Sequence, residues 1–427
     1  MLDLVLDDAA TPAQYGALAT RLAHALGLPL QHLPARFDTA RHADAQQHVG
    51  VAGTLLPSGL LWADRLGGAP VGAPLEPAAL IALAATRDVV VPFHPANAAA
   101  IGPVEQLIAQ AAAARVPVIR YEVVREASGD GGDGDDDNTT VARIVAAVAG
   151  SQDRVHTLCA ARQDRFGRWV DAEARAGHDA PPSAAVPLRI ALVGREDEQR
   201  DGYPATLAAL ADAAEAAGVA LEVRFVAAQT LDDANAAAAL AGCDGIVLPG
   251  GADMARVPGQ IAAASHAWRN GTPIVGLCLG MQSMATAVAR QALGRRDIGL
   301  AEAEPGIRTP SFMPIEAGDD GAPRVHRLGR RSIAVAAGSR LQTILGDTHA
   351  IRCNHRYHLK PELDGALAAA GVAIVARDES GRIADAIEAS DHPFFIGMQG
   401  HPELDSAPGQ AHPLLCAFFE AVRRHRG

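Results

Sequence analysis

Residues 273–282 have the sequence PIVGLCLGMQ, and this stretch decides the fold of the second half of the chain. Ile274 and Val275 predict the end of a buried strand, and residues 283–290 predict a helix. Between them, Gly276-x-Cys278-x-Gly280 is the cysteine form of the nucleophile elbow. An elbow holds its nucleophile on a sharp strand-to-helix turn in a cramped backbone conformation. It therefore needs small residues two positions to either side, as here.

The helix after such an elbow directs its free N–H groups and its positive dipole end at the sulfur of Cys278. This arrangement favours thiolate over thiol and stabilises an oxyanion. The alternative interpretation is a buried structural cysteine in an ordinary strand-to-helix turn. The motif alone does not separate the two, because short motifs also match by chance.

Composition limits the classes of function that are open to the chain. A length of 427 residues predicts two or three domains, and the net charge of −12 without a basic stripe argues against nucleic acid as a partner. Lys360 is the single lysine of the sequence. A phosphate-binding loop of the G-x-x-x-x-G-K-[ST] type is therefore missing, and we expect no cofactor.

The cysteines and the N-terminus indicate the compartment. The five cysteines are scattered and never stand in C-x-x-C spacing, which argues against a disulfide framework and against a cysteine metal site. Acidic residues accompany the first short apolar run, so it resembles neither a signal peptide nor a transit peptide. No apolar run approaches membrane-spanning length. We expect a cytoplasmic protein without a membrane contact.

The first part of the chain predicts a small α/β domain over residues 1–125. Strands at residues 2–6, 88–93 and 116–121 are separated by helical segments at 13–26, 78–85 and 104–115. His94 and Asn97 follow a strand, at the end where ligands of such domains usually bind. We favour the interpretation that both side chains only satisfy their loop, because no other chemistry-bearing residue converges on them.

Residues 126–187 predict an acidic low-complexity loop, helices and a linker. The run GDGGDGDDDN at 129–138 is typical of a solvated loop. Residues 140–149 and 161–176 predict helices, and HDAPPS at 178–183 predicts the linker between domains.

Residues 188–427 predict the second domain, with a doubly wound, mostly parallel sheet. Strands at 188–194, 221–225 and 244–248 alternate with helices at 204–217, 231–240 and 261–268, and then the elbow follows. Gly250-Gly251 and Cys278 both stand at carboxyl ends of predicted strands, where chemistry collects in such sheets. The fold class is therefore α/β, with a smaller α/β domain first.

A nucleophilic cysteine needs a base, an orienting group and an oxyanion hole. Residues 394–403 have the sequence FFIGMQGHPE, in which a buried strand delivers His401 and Glu403 to its end. Glu403 is close enough in sequence to orient the imidazole. The N–H of Leu279 and the Gly250-Gly251 turn offer the oxyanion-hole donors.

These motifs follow one another in the order that a known family shows. Residues 188–424 resemble a class I (triad) glutamine amidotransferase domain, and more narrowly the glutaminase domain of CTP synthase. The resemblance rests on IALVG at 190–194, DGIVLPGG at 244–251, GLCLGMQ at 276–282, HRLGRR at 326–331, NHRYHL at 354–359 and HPFFIGMQGHPELDS at 392–406.

The resemblance implies the catalytic roles. Cys278 would attack the side-chain amide of L-glutamine, His401 would act as base and then acid, and Glu403 would orient it. Gly251 and Leu279 would supply the oxyanion-hole amides.

It also implies a pocket for the amino-acid part of glutamine. Gly250 and Gln282 would contact the substrate, Glu302 would bind its α-amino group, and Arg356 would make a further contact. A solvated acid at Glu302 and a structural ion pair at Arg356 are the alternatives.

Four departures from CTP synthase stand out. In CTP synthase the Gly-Gly turn continues into a lid that is linked to activation by GTP. Here the turn continues as ADMAR at 252–256, which puts such a lid in doubt. Gly400 replaces an aromatic residue of CTP synthase. The arginine- and histidine-rich stretch is thinned to RCNHR at 352–356. Residues 1–150 show no ATP-dependent amidoligase domain.

We therefore predict a glutamine amidotransferase that delivers ammonia to an acceptor or to a synthetase partner protein. A catalytically silent binding or regulatory module and a γ-glutamyl hydrolase on the same scaffold are the alternatives. Preference for free glutamine over γ-glutamyl amides separates the amidotransferase from the hydrolase.

Overall fold

The computed structural model describes residues 1–67, 69–127, 140–147, 155–172, 186–316 and 325–426. The chain folds as two compact units, of which the first comprises residues 1–180 with 200–208 and the second 181–199 with 209–427. The predicted acidic loop at 129–138 and the predicted linker at 178–183 lie outside the described residues. The domain boundaries at 125 and 187 stay predictions.

A six-stranded sheet with the order β4-β1-β5-β6-β7-β8 forms the frame of the first unit, and β2 and β3 pair as a separate hairpin. The strands are β1 (Leu2–Leu6), β2 (His48–Val49), β3 (Leu55–Leu56), β4 (Val89–Phe93), β5 (Val118–Ala127), β6 (Thr140–Ala147), β7 (Val155–Gln163) and β8 (Trp169–Asp171). The helices are α1 (Ala17–Leu26), α2 (Leu61–Leu66), α3 (Pro77–Ala84), α4 (Ala98–Ile101) and α5 (Val104–Ala113).

The parallel part of this sheet confirms the predicted α/β arrangement. β1 pairs in parallel with β4 on one side and with β5 on the other, and the predicted strands and helices of residues 1–121 form close to their predicted bounds. His94 and Asn97 bond to loop backbone, His94 Nε2 at 2.9 Å from the Ala9 carbonyl and Asn97 Oδ1 accepting from the Arg36 N–H at 2.9 Å. These contacts support the loop-satisfying interpretation of both side chains.

The helices predicted at 140–149 and 161–176 are wrong as far as the structure describes these residues. β6 pairs antiparallel with β5 and β7, and β8 extends the same sheet. Ala142 and Ile144 are buried while Arg143 between them is exposed, which is the two-residue period of a strand. The alanine content suggested helix, but β-branched residues and long-range pairing with β5 outweigh that weak local propensity.

The second unit contains a nine-stranded sheet with the order β10-β9-β11-β12-β20-β19-β18-β15-β16 and a small sheet β13-β14-β17. The strands are β9 (Leu188–Leu192), β10 (Leu221–Phe225), β11 (Gly245–Leu248), β12 (Ile274–Leu277), β13 (Ile298–Leu300), β14 (Thr309–Pro314), β15 (Arg327–Val335), β16 (Thr348–His355), β17 (Tyr357–Leu359), β18 (Val372–Asp378), β19 (Ala384–Ala389) and β20 (Phe395–Met398). The helices from here on are α6 (Ala205–Ala216), α7 (Ala236–Ala239), α8 (Val257–Asn270), α9 (Leu279–Leu293), α10 (Arg340–Leu345), α11 (Asp364–Ala369) and α12 (Pro413–Arg426). The helix predicted at 231–240 is shortened to the four residues of α7.

The pairing of the central strands brings distant segments together. β10, β9, β11, β12 and β20 run parallel, and β19, β18, β15 and β16 continue the sheet antiparallel. Leu248 at the end of β11 aligns with Gly276 in β12, and Leu277 aligns with Met398 in β20. The segments that follow β11, β12 and β20 therefore emerge side by side at one edge of the sheet.

Close-packed aliphatic side chains hold the helices of the second unit on this sheet. α9 is buried along most of its length, and its alanine, methionine and valine residues pack in one core cluster with β11, β12 and α8. Within the described residues, no helix is both long enough and apolar enough to cross a bilayer.

Gly280→Ala should destabilise the second unit. A Cβ at position 280 lies 2.1 Å from the carbonyl oxygen of Leu248, so the turn from β12 into α9 must shift away from β11. Overpacking of this kind costs about 1–3 kcal/mol of unfolding free energy. Denaturant unfolding measures the loss. Gly365→Ala in α11, where an added Cβ meets no atom within 4 Å, is the matched control and should be neutral or slightly stabilising. Equal stability of the two variants would contradict the packing of this turn.

Candidate active site

Cys278 lies on a strained turn between β12 and α9. Its φ of 49° and ψ of −105° fall outside the regions that residues other than glycine usually adopt, and strain of this kind collects at functional sites. The neighbouring glycines make the turn possible. A Cβ on Gly276 would lie 2.4 Å from the sulfur of Met284, and one on Gly280 would meet β11. The turn that G-x-C-x-G predicts therefore forms, and the reason is close packing on both sides of the cysteine.

His401 and Glu403 form a buried hydrogen-bonded pair directly after β20. Nδ1 of His401 lies 2.7 Å from Oε1 of Glu403, and both side chains are almost fully buried. A short 3-10 helix, Pro402–Asp405, turns Glu403 back towards the imidazole. Because Nδ1 is held by the carboxylate, the other ring nitrogen, Nε2, is left for the side of Cys278.

The electrostatics of this pair favour a charged imidazole. Burial by itself lowers the pKa of His401, but the negative charges of Glu403 and of the Cys278 thiolate outweigh burial and raise the pKa well above its ordinary value. The raised pKa favours a protonated imidazole at His401, beside the Glu403 carboxylate and Cys278. This is the arrangement that activates cysteine nucleophiles.

The oxyanion-hole candidates are at the same strand ends. Gly250 lies against both catalytic candidates, because a Cβ there would be 3.0 Å from Cε1 of His401 and 3.4 Å from Cβ of Cys278. Gly251 has a φ of 152°, which favours glycine. Leu279 is the first residue of α9, so its N–H has no acceptor within the helix and is available to an oxyanion.

Gln399, which the sequence analysis missed, lies between Gln282 and the sulfur of Cys278. Nε2 of Gln282 lies 3.4 Å from Oε1 of Gln399, and Nε2 of Gln399 lies 3.6 Å from Sγ of Cys278. Oε1 of Gln282 is buried without a hydrogen-bond partner in the described part of the chain and remains available to a ligand. The position of Gln399, two residues before His401 at the end of β20, is the sequence signal that marks it.

Glu302 and Arg356 come close enough to interact. Glu302 follows β13 and is half-buried, and burial raises the pKa of its carboxyl group while the charge of Arg356 opposes that rise. Arg356 is exposed, and its Nη2 lies 3.2 Å from Nδ1 of His326. Nε2 of His326 in turn lies 2.8 Å from Oδ1 of Asn354.

A buried group of Cys353, His355 and Asp385 offers donor atoms within 4.8 Å of one another. Its chemistry does not suit a metal ion. Both oxygens of Asp385 accept hydrogen bonds from Arg327, at 2.6 and 3.1 Å, and Arg327 also contacts Nε2 of His355 at 3.1 Å. Nδ1 of His355 contacts the Tyr357 carbonyl at 2.9 Å. The guanidinium already uses the oxygens and nitrogen that a metal would need.

Two departures from CTP synthase have structural reasons. Ile351 of β16 packs over Gly400, where an added Cβ would lie 2.7 Å from the Cβ of Ile351, so no side chain fits there. After the Gly-Gly turn, the side chain of Asp253 caps the Ala255 N–H at 3.0 Å. Arg256 is buried and pairs with Glu198 at 3.3 Å, which ties this segment to the body of the unit.

The comparisons with known proteins identify the family of the second unit. The model of the glutamine amidotransferase class-I family matches residues 200–421, and the chain belongs to this family.

Within the family, the similarity is to the glutaminase part of CTP synthases. The chain is 34% identical over 236 residues to the CTP synthase of Chloroflexus aurantiacus, covering 55% of this chain and 43% of that protein. It is 31% identical over 278 residues to the CTP synthase of Cereibacter sphaeroides, covering 61% and 50%. The chain thus spans half or less of the length of these relatives.

A solved structure shows the same fold. The glutaminase domain of Trypanosoma brucei CTPS with bound acivicin superposes with a TM-score of 0.52 at 28% identity, covering 56% of this chain and 94% of that domain. The α/β fold and the resemblance to CTP synthase that the sequence predicts are confirmed.

Glu403→Gln should lower the pKa of His401. The substitution removes the carboxylate charge that raises this pKa and leaves the burial that lowers it. The imidazole signal of His401, followed by NMR across pH and assigned by its absence in His401→Gln, measures the shift. Glu420→Gln on the exposed face of α12 is the matched control and should leave the titration unchanged. An unshifted signal in Glu403→Gln would contradict the electrostatic role of the pair.

Proposed function

We propose that this chain hydrolyses free L-glutamine to glutamate and ammonia through a thioester on Cys278. One observation carries the proposal. Cys278, the His401–Glu403 pair and the Gly250-Gly251 turn meet at the ends of three adjacent parallel strands, β12, β20 and β11. Acyl transfer needs a nucleophile, a base with its orienting group, and oxyanion-hole amides in one place.

Acylation follows from these positions. The thiolate of Cys278 attacks the carbon of the glutamine side-chain amide, and the N–H groups of Gly251 and Leu279 stabilise the oxyanion. Collapse of this intermediate breaks the C–N bond, and His401 gives its proton to the leaving ammonia. Glu403 holds the imidazole through Nδ1 at 2.7 Å, so that Nε2 faces the reacting atoms.

Deacylation reverses the role of the imidazole. His401, now neutral, takes a proton from water, and the resulting hydroxide attacks the thioester carbon. Glutamate leaves, and the proton on His401 and the thiolate of Cys278 are restored. Each step uses the same ring nitrogen, which requires one fixed orientation of the imidazole.

The amino-acid part of glutamine would lie between β13 and the start of α9. We assign the α-amino group to the carboxylate of Glu302, and substrate contacts to Gln282, Gly250 and Arg356. The coupling between Glu302 and Arg356 supports a pocket with both charges, which matches the ammonium and carboxylate of an α-amino acid.

The ammonia would be passed to an acceptor or to a synthetase partner protein. The relatives named above are CTP synthases, and only their glutaminase part corresponds to this chain. Residues 1–150 contain no lysine for an ATP-binding phosphate loop, so we do not expect the purified chain by itself to form CTP from UTP, ATP and ammonia.

Cys278→Ser should abolish glutamine hydrolysis, lowering kcat by about a thousandfold or more. The covalent test is labelling with 6-diazo-5-oxo-norleucine followed by peptide mass spectrometry. A single adduct on Cys278 that excess glutamine prevents is expected. Cys416→Ser in α12, a half-buried cysteine away from the strand ends, is the matched control and should be labelled at Cys278 as wild type.

The outcomes of this labelling separate the alternatives. Cys278 that reacts with iodoacetamide but not with the glutamine analogue would reject the proposal and favour a binding or regulatory module. Faster turnover of γ-glutamyl amides than of free glutamine would favour a γ-glutamyl hydrolase.

Glutamine binding should weaken in acid earlier than an ordinary glutamate would cause. Glu302 must be ionised to hold an ammonium group, and burial raises the pKa of this carboxyl group. The half-saturating glutamine concentration, measured across pH, should therefore rise as the pH falls through this raised pKa. Glu302→Gln should give a high requirement that does not change over this range. Glu304→Gln, an exposed neighbour, is the control and should behave as wild type. A wild-type requirement that stays flat in acid would reject the assignment of Glu302.

A further inference from the structure

The end of β20 carries a second side chain towards the sulfur, besides His401. Gln399 is fully buried, and its backbone N–H donates to the Asp385 carbonyl at 2.8 Å, which fixes where its side chain starts. From there the side-chain amide extends to Cys278, with 3.6 Å between Nε2 and Sγ. A buried amide on a reacting sulfur is a polar contact that neither the triad nor the oxyanion hole explains.

The neighbouring amide supports the orientation in which nitrogen faces sulfur. Nε2 of Gln282 donates to Oε1 of Gln399 at 3.4 Å, so the oxygen of Gln399 is occupied and its NH₂ group is left for Cys278. The reverse orientation would place a carbonyl oxygen against a thiolate, and two negative groups repel. The orientation of the two glutamine amides therefore suits a negatively charged sulfur at Cys278.

The other polar neighbour of the sulfur has the opposite preference. The carbonyl oxygen of Asn354 lies 3.9 Å from Sγ, where it suits a thiol that donates its proton. A thiolate has no proton to give and gains nothing from that carbonyl. The side-chain N–H of Gln399 favours the thiolate instead, in addition to the charge of the His401 imidazole.

The titratable groups around Cys278 belong to two strands. His401, backed by Glu403, follows β20, and Cys353 lies on β16. Burial raises the pKa of Cys353 to about 12, so it stays a neutral thiol at ordinary pH. Substitution of Gln399 leaves these groups in place, so its effect on the sulfur is separable from theirs.

We propose that Gln399 is a catalytic residue that donates a hydrogen bond from its side-chain amide to the thiolate of Cys278. This donor keeps the sulfur ionised and aimed before glutamine arrives. Gln399 contacts the nucleophile, so we expect it to act mainly on the rate of acylation. The inference rests on the proposed function for its catalytic consequence, but its effect on the sulfur is measurable without glutamine.

The experiment is the pH dependence of Cys278 alkylation by iodoacetamide in the full chain, read at the Cys278 peptide by mass spectrometry. Gln399→Glu is nearly isosteric and keeps an acceptor for Gln282, but replaces the donor by an oxygen. Gln399→Met removes the donor with little change in volume. Gln291→Glu, an exposed position on α9, is the matched control.

The alkylation midpoint should move upward by about 1–2 pH units in Gln399→Met, because a hydrogen bond to a charged group is lost. It should move further in Gln399→Glu, because an ionised carboxylate also repels the thiolate. Alkylation at neutral pH should slow by about tenfold or more in both variants. In glutamine hydrolysis, kcat should fall by about tenfold to a hundredfold, with half-saturation by glutamine within about twofold of wild type.

The proposal is overturned if the alkylation midpoint and rate of folded Gln399→Met match those of wild type, even if hydrolysis slows. Such a result would mean that Gln399 only holds Gln282 in place. Thermal melting establishes folding, and if Gln399→Met unfolds, the neutral Gln399→Leu takes its place. A wild-type chain that does not hydrolyse glutamine rejects the proposed function and leaves this measurement intact, because iodoacetamide needs no glutamine pocket.

Discussion

Cys278 is held with a φ of 49° at the junction of β12 and α9, and the rest of the site depends on that strained backbone. Strain at one residue persists only where the surroundings over-determine it. Here β11 presses against Gly280, and Met284 of α9 fills the space over Gly276. The same packing starts α9 directly after Cys278, so the N–H of Leu279 has no acceptor within the helix.

A second constraint assembles the partners of the cysteine. β11, β12 and β20 are neighbours in parallel register, although more than a hundred residues separate β12 from β20 in the chain. Parallel strands end at the same edge, so the strand pairing brings the Gly-Gly turn, Cys278 and His401 together. Charges interact more strongly in the low dielectric of this buried edge. The negative charges of Glu403 and Cys278 therefore raise the pKa of His401 by more than burial lowers it.

Around this centre, other buried polar groups keep the antiparallel half of the sheet in place. Arg327 joins Asp385 of β19 and His355 of β16 by hydrogen bonds, and His392 and Gln399 bracket β20 at its two ends. These hydrogen bonds pair buried polar groups with one another, which is what a buried network requires. Next to His401, the side chain of Ile351 fills the space over Gly400.

The sequence by itself determined the elbow at Cys278, the delivery of His401 and Glu403 by a buried strand, and the α/β class. Each of these features depends on a local requirement, such as small residues around a strained turn or an apolar run before a polar strand end. Requirements of this kind restrict the residue types in one short stretch, so the sequence shows them directly. The tertiary structure decided that Gln399 lies on the sulfur, that Arg327 occupies the group of Cys353, His355 and Asp385, and that residues 140–147 form a strand. These features depend on which strands become neighbours. Pairing between distant segments depends on the whole fold, so no single stretch of the chain predicts it.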